Sequence, residues 1–323
     1  NNFKVLNIFS SRNWPKTGLM SKLSIYFFTI FSILKLNYYY KLHKPDLIIS
    51  NLVGYLPLML KLLYPRLTIA NSIQGLPKFN FFRKILWKIF YTKADYILTM
   101  TDITKKIILE NISYKKKIFK VNNPVISRQL RKLSKEIINN SDDKKIFEKI
   151  TFCAVGRLTR QKNFIEIIRA VNNIPHEFHS KFNIIIIGKG EDYKNIQNLI
   201  HKYKLTNIYL LGFKKNPYSY MKKSNYFISS SLWEEPGHAV LEAGYLNKLI
   251  ISSDCPNGPK EILVNNFNSI KYELNNYKDL SKVIIRLLNN EIKNEFQLRV
   301  NMKKIVKNYS MFRFSKKIEN IIN

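Results

Sequence analysis

The stretch YFISSSLWEEPGHAVLEA, residues 226–243, decides how this chain is read. YFISSS (226–231) has the character of a strand, Pro236 and Gly237 mark a turn, and an apolar helical run opens at about Ala239. A strand followed directly by a helix is one unit of a parallel sheet, and ligands of such sheets bind at the carboxyl edge of the strands. Glu234 and Glu242, with seven residues between them, are thereby predicted to lie at that edge. The helix-opening backbone N–H groups, from about His238 through Ala239 and Val240 to Leu241, point at the same space and suit an anion such as phosphate. Two acids flanking an anion nest imply a nucleotide-sugar pocket.

Working outward, the second half of the chain repeats this alternation. Strands are predicted at 151–156, 183–187, 207–210, 226–230 and 248–252, with helices near 163–173, 191–203, 216–223 and 238–246. Five strands in βα units make a doubly wound domain. Helical segments at about 277–290, 293–307 and 311–322 follow, the last one a candidate to cross back to the first domain.

The first half reads as a looser version of the same pattern. Strands DLIIS (46–50), LTIANSI (67–73), DYILTM (95–100) and KIFKVNN (117–123) alternate with helices over 20–42, 55–63, 81–93 and 102–110. The fold class expected is α/β, with two Rossmann-like doubly wound domains. Their predicted limits are 1–130 and 150–308, with a polar linker at 131–149 and a terminal helix at 309–323.

Composition narrows the function classes. A length of 323 residues suits about two domains, and 46% hydrophobic residues suit a globular chain. The formal charge of +32 points to nucleic acid, an anionic membrane surface or acidic substrates. Lys, Asn and Ile are over-used everywhere, so a biased genome filling tolerant positions accounts for the charge as well as a functional partner does. Two cysteines, Cys153 and Cys255, provide neither a disulfide framework nor a zinc spacing, and a reducing cytoplasm is expected. The opening NNFKVLNIF has no signal-peptide pattern. The apolar runs 23–34 and 49–60 are shorter than the roughly 20 residues of a spanning helix, and read as buried or interfacial.

Further strand ends carry the rest of the chemistry. GRLTRQKN (156–163) places Arg157 at a strand end and Lys162 one turn later, a fork and a mobile point charge suited to a diphosphate or two more surface cations. NIIIIGKGE (183–191) ends in Gly188 and Gly190, a turn without side-chain bulk that serves a pocket edge or simply a helix start. In LLGFKKN (210–216), Gly212, Phe213 and Lys214 either line a slot for a flat base or form a structural turn. His238 either touches donor phosphate or only opens its helix. No compact Asp/His cluster suggests a metal, and none is expected.

These segments in this order, followed by ISSDCPNGPKEIL (251–263), closely resemble the retaining glycosyltransferases of family 4, which have the GT-B fold of two Rossmann-like domains facing a cleft. The resemblance covers most of 151–275 and is looser in HKPDLIIS, KADYILTMTD and KVNNPV. It implies metal-independent transfer of a sugar from a nucleotide diphosphate to an acceptor hydroxyl, with retention. Arg157 and Lys162 match the basic pair that grips the diphosphate, Glu242 the residue that binds the ribose hydroxyls, and Glu234 the glutamate beside the donor sugar, with a catalytic or stabilising role. The segment from Glu235 through Gly237 to Leu241 matches the turn and helix start that reach sugar and phosphate. The family's opening strand, glycine-rich loop and helix have no match in residues 1–45, so an incomplete first domain is expected. Asn51 and Gln74 stand near the places where relatives carry a histidine.

The function expected is synthesis of a surface glycan such as lipopolysaccharide, capsule or a lipid-linked oligosaccharide, on a lipid-linked acceptor. The enzyme would sit in the cytoplasm, peripheral on the anionic inner face of the membrane, with no cofactor beyond the donor and no specific nucleic-acid partner. Two other readings are a remnant that binds nucleotide without turnover, and a basic nucleic-acid-binding protein with salt-sensitive affinity.

Overall fold

The computed structural model describes residues 32–51, 55–77, 79–112 and 117–322. The chain forms two compact units that divide after Lys120.

In the first unit, β1 (Leu47–Asn51), β2 (Thr68–Ile73), β3 (Tyr96–Thr99) and β4 (Ile118–Lys120) form a parallel sheet in the order β1-β2-β3-β4. Helices Tyr55–Leu63, Phe81–Phe90 and Asp102–Asn111 connect them, as the β-branched runs and the amphipathic spacing predicted. Leu58, Leu60, Ile69, Ile97 and Ile108 are fully buried in its core, and Trp87 stacks on Tyr91 with ring centroids 3.9 Å apart. The expectation of an incomplete first domain falls on residues 1–45, of which 1–31 lie outside the described residues.

The second unit holds β5 (Ile150–Val155), β6 (Phe182–Ile187), β7 (Ile208–Gly212), β8 (Tyr226–Ser229), β9 (Leu249–Ser253) and β10 (Ile270–Tyr272). All pairings are parallel, in the order β10-β9-β8-β5-β6-β7, the doubly wound order whose switch point lies between β5 and β8. Alternate residues feed the two faces. Phe152, Ile184, Ile186, Ile228 and Ile251 enter one apolar core, while Cys153, Ile185, Ile187, Phe227 and Ile250 enter the other. Both faces being covered explains why these strands read as continuous apolar runs.

Two expectations need correction. The domain has six strands, because the three-residue edge strand β10 is embedded in asparagine-rich sequence that reads as loop. Residues 131–149 are not a free linker but part of the second unit. Ser127 and Asn140 cap short helices at Arg128–Leu133 and Ser141–Lys145, while Leu130, Ile138 and Ile146 are buried in the core. The terminal helix Met311–Ile322 groups with the second unit, and a backbone bridge joins Ile126 to Ser310 at its start. Among the described residues no helix is long and apolar enough to cross a membrane.

Candidate functional site

The carboxyl ends of β5, β6 and β7 carry Gly156, Gly188 and Gly212, tied by Gly156 N–H to Ile187 carbonyl (3.0 Å) and Gly188 N–H to Gly212 carbonyl (2.9 Å). Any Cβ at Gly188 would stand 1.8 Å from the Gly156 carbonyl oxygen, and one at Gly190 would stand 2.2 Å from that of Leu158. These glycines let the loops at 156–163 and 188–192 interlock. Gly156 also clears a path for Lys162, whose Cε would lie 3.0 Å from a Cβ placed there.

Lys162 crosses that path to form an ion pair with Glu234 Oε1. The loops behind them are clasped by Ser230 Oγ donating to the Lys162 carbonyl (2.8 Å) and Gln161 Nε2 donating to the Trp233 carbonyl (2.9 Å). Glu234 is only 7% exposed and accepts a second hydrogen bond from Ser231 Oγ at 2.7 Å. The Gly258 N–H donates to the Glu234 carbonyl at 3.2 Å, which ties its backbone to the turn beyond β9. Because Lys162 follows β5 and Glu234 follows β8, the pair stands at the topological switch point.

The helix His238–Tyr245 opens on Gly237, whose left-handed φ of 90° suits glycine. It has no side-chain cap, so its first amides are directed at whatever anion sits before them. Lys162, Glu234, Gly237, Ala239 and Val240 line one narrow pocket. The Val240 and Leu241 side chains are buried in the core and their N–H groups donate to the Gly237 carbonyl at 3.1 and 3.3 Å, so the expected anion nest narrows to the N–H groups of His238 and Ala239. Although His238 reaches solvent, the protein packed round its imidazole holds it below the ordinary histidine value, Lys162 adding to the effect and Glu234 opposing it.

Glu242, half-buried on the same helix, is pushed up to about 7 by burial, against the opposing pull of a Tyr218 hydrogen bond and the Lys162 charge. Tyr218 Oη donates to Glu242 Oε1 at 3.1 Å, and burial first, then the Glu242 charge, push the phenol up to about 12. Tyr218 is in turn held by its backbone N–H donating to Asn216 Oδ1 at 3.1 Å. Replacing Tyr218→Phe is expected to raise the Glu242 pKa further, since a bond to the charged form is lost, and to cost about 1 kcal/mol of stability. A carboxyl NMR titration and thermal melts check both.

The remaining expected residues are placed differently. Arg157 is exposed and makes no ion pair among the described residues, a free cation beside the pocket strands. Phe213 is exposed at the end of β7, with Lys189 Nζ 5.3 Å above its ring. Lys214 instead binds Asp143 Oδ2 at 2.9 Å, where Tyr220 Oη also donates at 2.6 Å. That ammonium anchors residues 141–145 to the domain. Reading by sequence missed Ser231 and Tyr218, since a serine in a serine run and a tyrosine 24 residues from its partner carry no local signal.

Residues 136–309, more than half of the chain and all of this pocket, match the family model of glycosyl transferases group 1. The chain belongs to that family. This glycosyltransferase is 38% identical over 186 residues to an uncharacterized glycosyltransferase, MJ1059, of Methanocaldococcus jannaschii, covering 57% of this chain and 46% of the relative. It is 24% identical over 209 residues, 64% of this chain and 54% of the relative, to a Campylobacter jejuni N-acetylgalactosamine-N,N'-diacetylbacillosaminyl-diphospho-undecaprenol 4-alpha-N-acetylgalactosaminyltransferase. The chain thus spans about half the length of these curated relatives. In fold it is similar to Anabaena Alr3699/HepE, solved in complex with UDP and glucose, with a TM-score of 0.72 over 90% of this chain and 80% of that one at 14% identity. The two parallel-sheet units are those of a GT-B glycosyltransferase.

Proposed function

We propose that the protein is a retaining, metal-independent glycosyltransferase that moves a sugar from a nucleotide diphosphate to a hydroxyl of a lipid-linked glycan, peripheral on the cytoplasmic face of a membrane. The observation that carries this reading is the Lys162–Glu234 pair, set at the switch point and beside the uncapped amino end of the helix that bears Glu242. Glu242 takes the ribose hydroxyls. As the bond from the sugar to the diphosphate breaks, its electron pair leaves on the diphosphate, where Lys162, Arg157 and the helix amides meet the charge, while the acceptor oxygen bonds to the anomeric carbon on the face the diphosphate leaves and its proton passes to the departing diphosphate oxygen. Glu234 lies beside the sugar and holds Lys162 in position. The acceptor class is suggested by the Campylobacter relative, whose name specifies a diphospho-undecaprenol glycan.

Transfer from a panel of nucleotide sugars to undecaprenol-linked acceptors, with the product's anomeric configuration read by NMR, tests the reading. Retention of configuration supports it. Inversion, or nucleotide binding without transfer to any acceptor, contradicts it.

The binding step carries a pH signature. With Glu242 at about 7 in the free protein, hydroxyl donors favour its ionised form, so affinity should rise with pH up to about 7 and level off above. Below that value it should fall by up to about tenfold per pH unit. UDP-glucose is a suitable probe, because its phosphodiesters do not titrate in this range. Glu242→Gln should flatten the profile, and calorimetry at successive pH values reads it.

A further inference from the structure

The second unit carries a basic surface outside the pocket. Arg128, Arg131, Lys132 and Lys135 recur at i, i+3, i+4 and i+7, and therefore share one face of the helix Arg128–Leu133 and the turn that prolongs it through Lys135 N–H to Lys132 carbonyl (3.1 Å). All four are exposed, none has an ion-pair partner among the described residues, and together they line a shallow basin with Glu136. That single carboxylate is occupied by Asn216 Nδ2 at 2.8 Å. Like charges crowded on one face repel, and no carboxylate among the described residues pairs with them.

Large apolar side chains stand exposed on the segments that adjoin these cations. Ile137 is 78% exposed two residues beyond Lys135, and the Ile126–Ser310 bridge brings the start of the terminal helix, with Phe312 at 72%, next to the start of the basic helix. Cations for phosphate headgroups with apolar residues to enter the interface are the combination that holds a protein on an anionic bilayer.

We propose that this face of the second unit docks on an anionic phospholipid surface, with Arg128, Arg131, Lys132 and Lys135 on the headgroups and Ile137 and Phe312 in the interfacial layer. The inference extends the membrane association proposed above. Its test involves no sugar transfer, so the two stand or fall separately.

The test is flotation with vesicles of phosphatidylcholine, alone or mixed with phosphatidylglycerol. Because the whole chain is basic, Arg131→Glu/Lys132→Glu is compared with Lys202→Glu/Lys282→Glu, two exposed lysines elsewhere with the same change in net charge. The wild type should bind only the anionic vesicles, the first variant should lose roughly tenfold or more in affinity, and the second should lose much less. Phe312→Ser, which keeps the charge, should weaken binding severalfold. Equal losses in the two charge variants would reduce the effect to net charge and overturn the proposal. No effect of Phe312→Ser would overturn the lipid assignment in favour of a soluble polyanion, and self-association through this face with unchanged vesicle binding would assign it to a second copy.

Discussion

Lys162→Ala is expected to lose about 10²–10³-fold in turnover and about 3 kcal/mol of stability. The stability loss follows from burial, since Glu234 at 7% exposure keeps Ser231 but loses its one counter-ion among the described residues, and stripping one partner from a buried pair costs about 3–5 kcal/mol. In a unit of this size that lowers the melting temperature by roughly 6–12 °C. The turnover loss follows from chemistry, since removing one preorganised donor to a developing anion costs about that factor. A second substitution, read by thermal melts and by turnover, separates the two. Adding Glu234→Gln to the variant should recover most of the stability without recovering turnover.

Gly188→Ala is expected to be among the most damaging single-methyl changes in the chain. The new Cβ would sit 1.8 Å from a backbone carbonyl oxygen, which cannot swing aside as a flexible side chain would, and the glycine φ of 155° is one that L residues rarely adopt. Strand β6 would have to part from β5 where Gly156 N–H binds the Ile187 carbonyl, at a cost of about 3 kcal/mol or more. Gly212→Ala is the control. It has the same strand-end position and a φ of 66°, but nothing lies within 4 Å of its Cβ, so a loss of about 1 kcal/mol is expected from backbone conformation alone. Denaturant melts that gave similar losses for both would show that φ, not the interlocked strand ends, sets the cost.

The strands were legible because parallel strands covered on both faces write themselves as apolar runs. IIII at 184–187 feeds two cores at once and admits no other reading. Short elements held by their surroundings were not. β10 has three residues, and the segment 131–149 looks like linker until Ile138 and Ile146 are seen in a core that other elements supply. The site divides in the same way. Glycines at strand ends and the acids of one helix announce themselves locally, whereas the Lys162–Glu234 pair joins residues 72 apart and depends on a path cleared by Gly156. The Tyr218 bond to Glu242 depends likewise on two helices, Tyr218–Lys223 and His238–Tyr245, meeting in space. Arg157 as a fork and Lys162 as a mobile point charge are both expected on a diphosphate, yet Arg157 is exposed and Lys162 is fixed in an ion pair. Spacing reports which face a residue occupies, not how far its side chain reaches.

The most direct test of the central claim is calorimetric titration of UDP-glucose and other nucleotide sugars into the wild-type chain and into Glu242→Ala. Charge-assisted hydrogen bonds are worth about 1.5–3 kcal/mol, so the account predicts saturable binding of at least one nucleotide sugar that weakens by roughly 10- to 150-fold in the variant while its fold stays intact. Equal affinity in the two proteins, or no binding of any nucleotide sugar by the folded wild type, would contradict it.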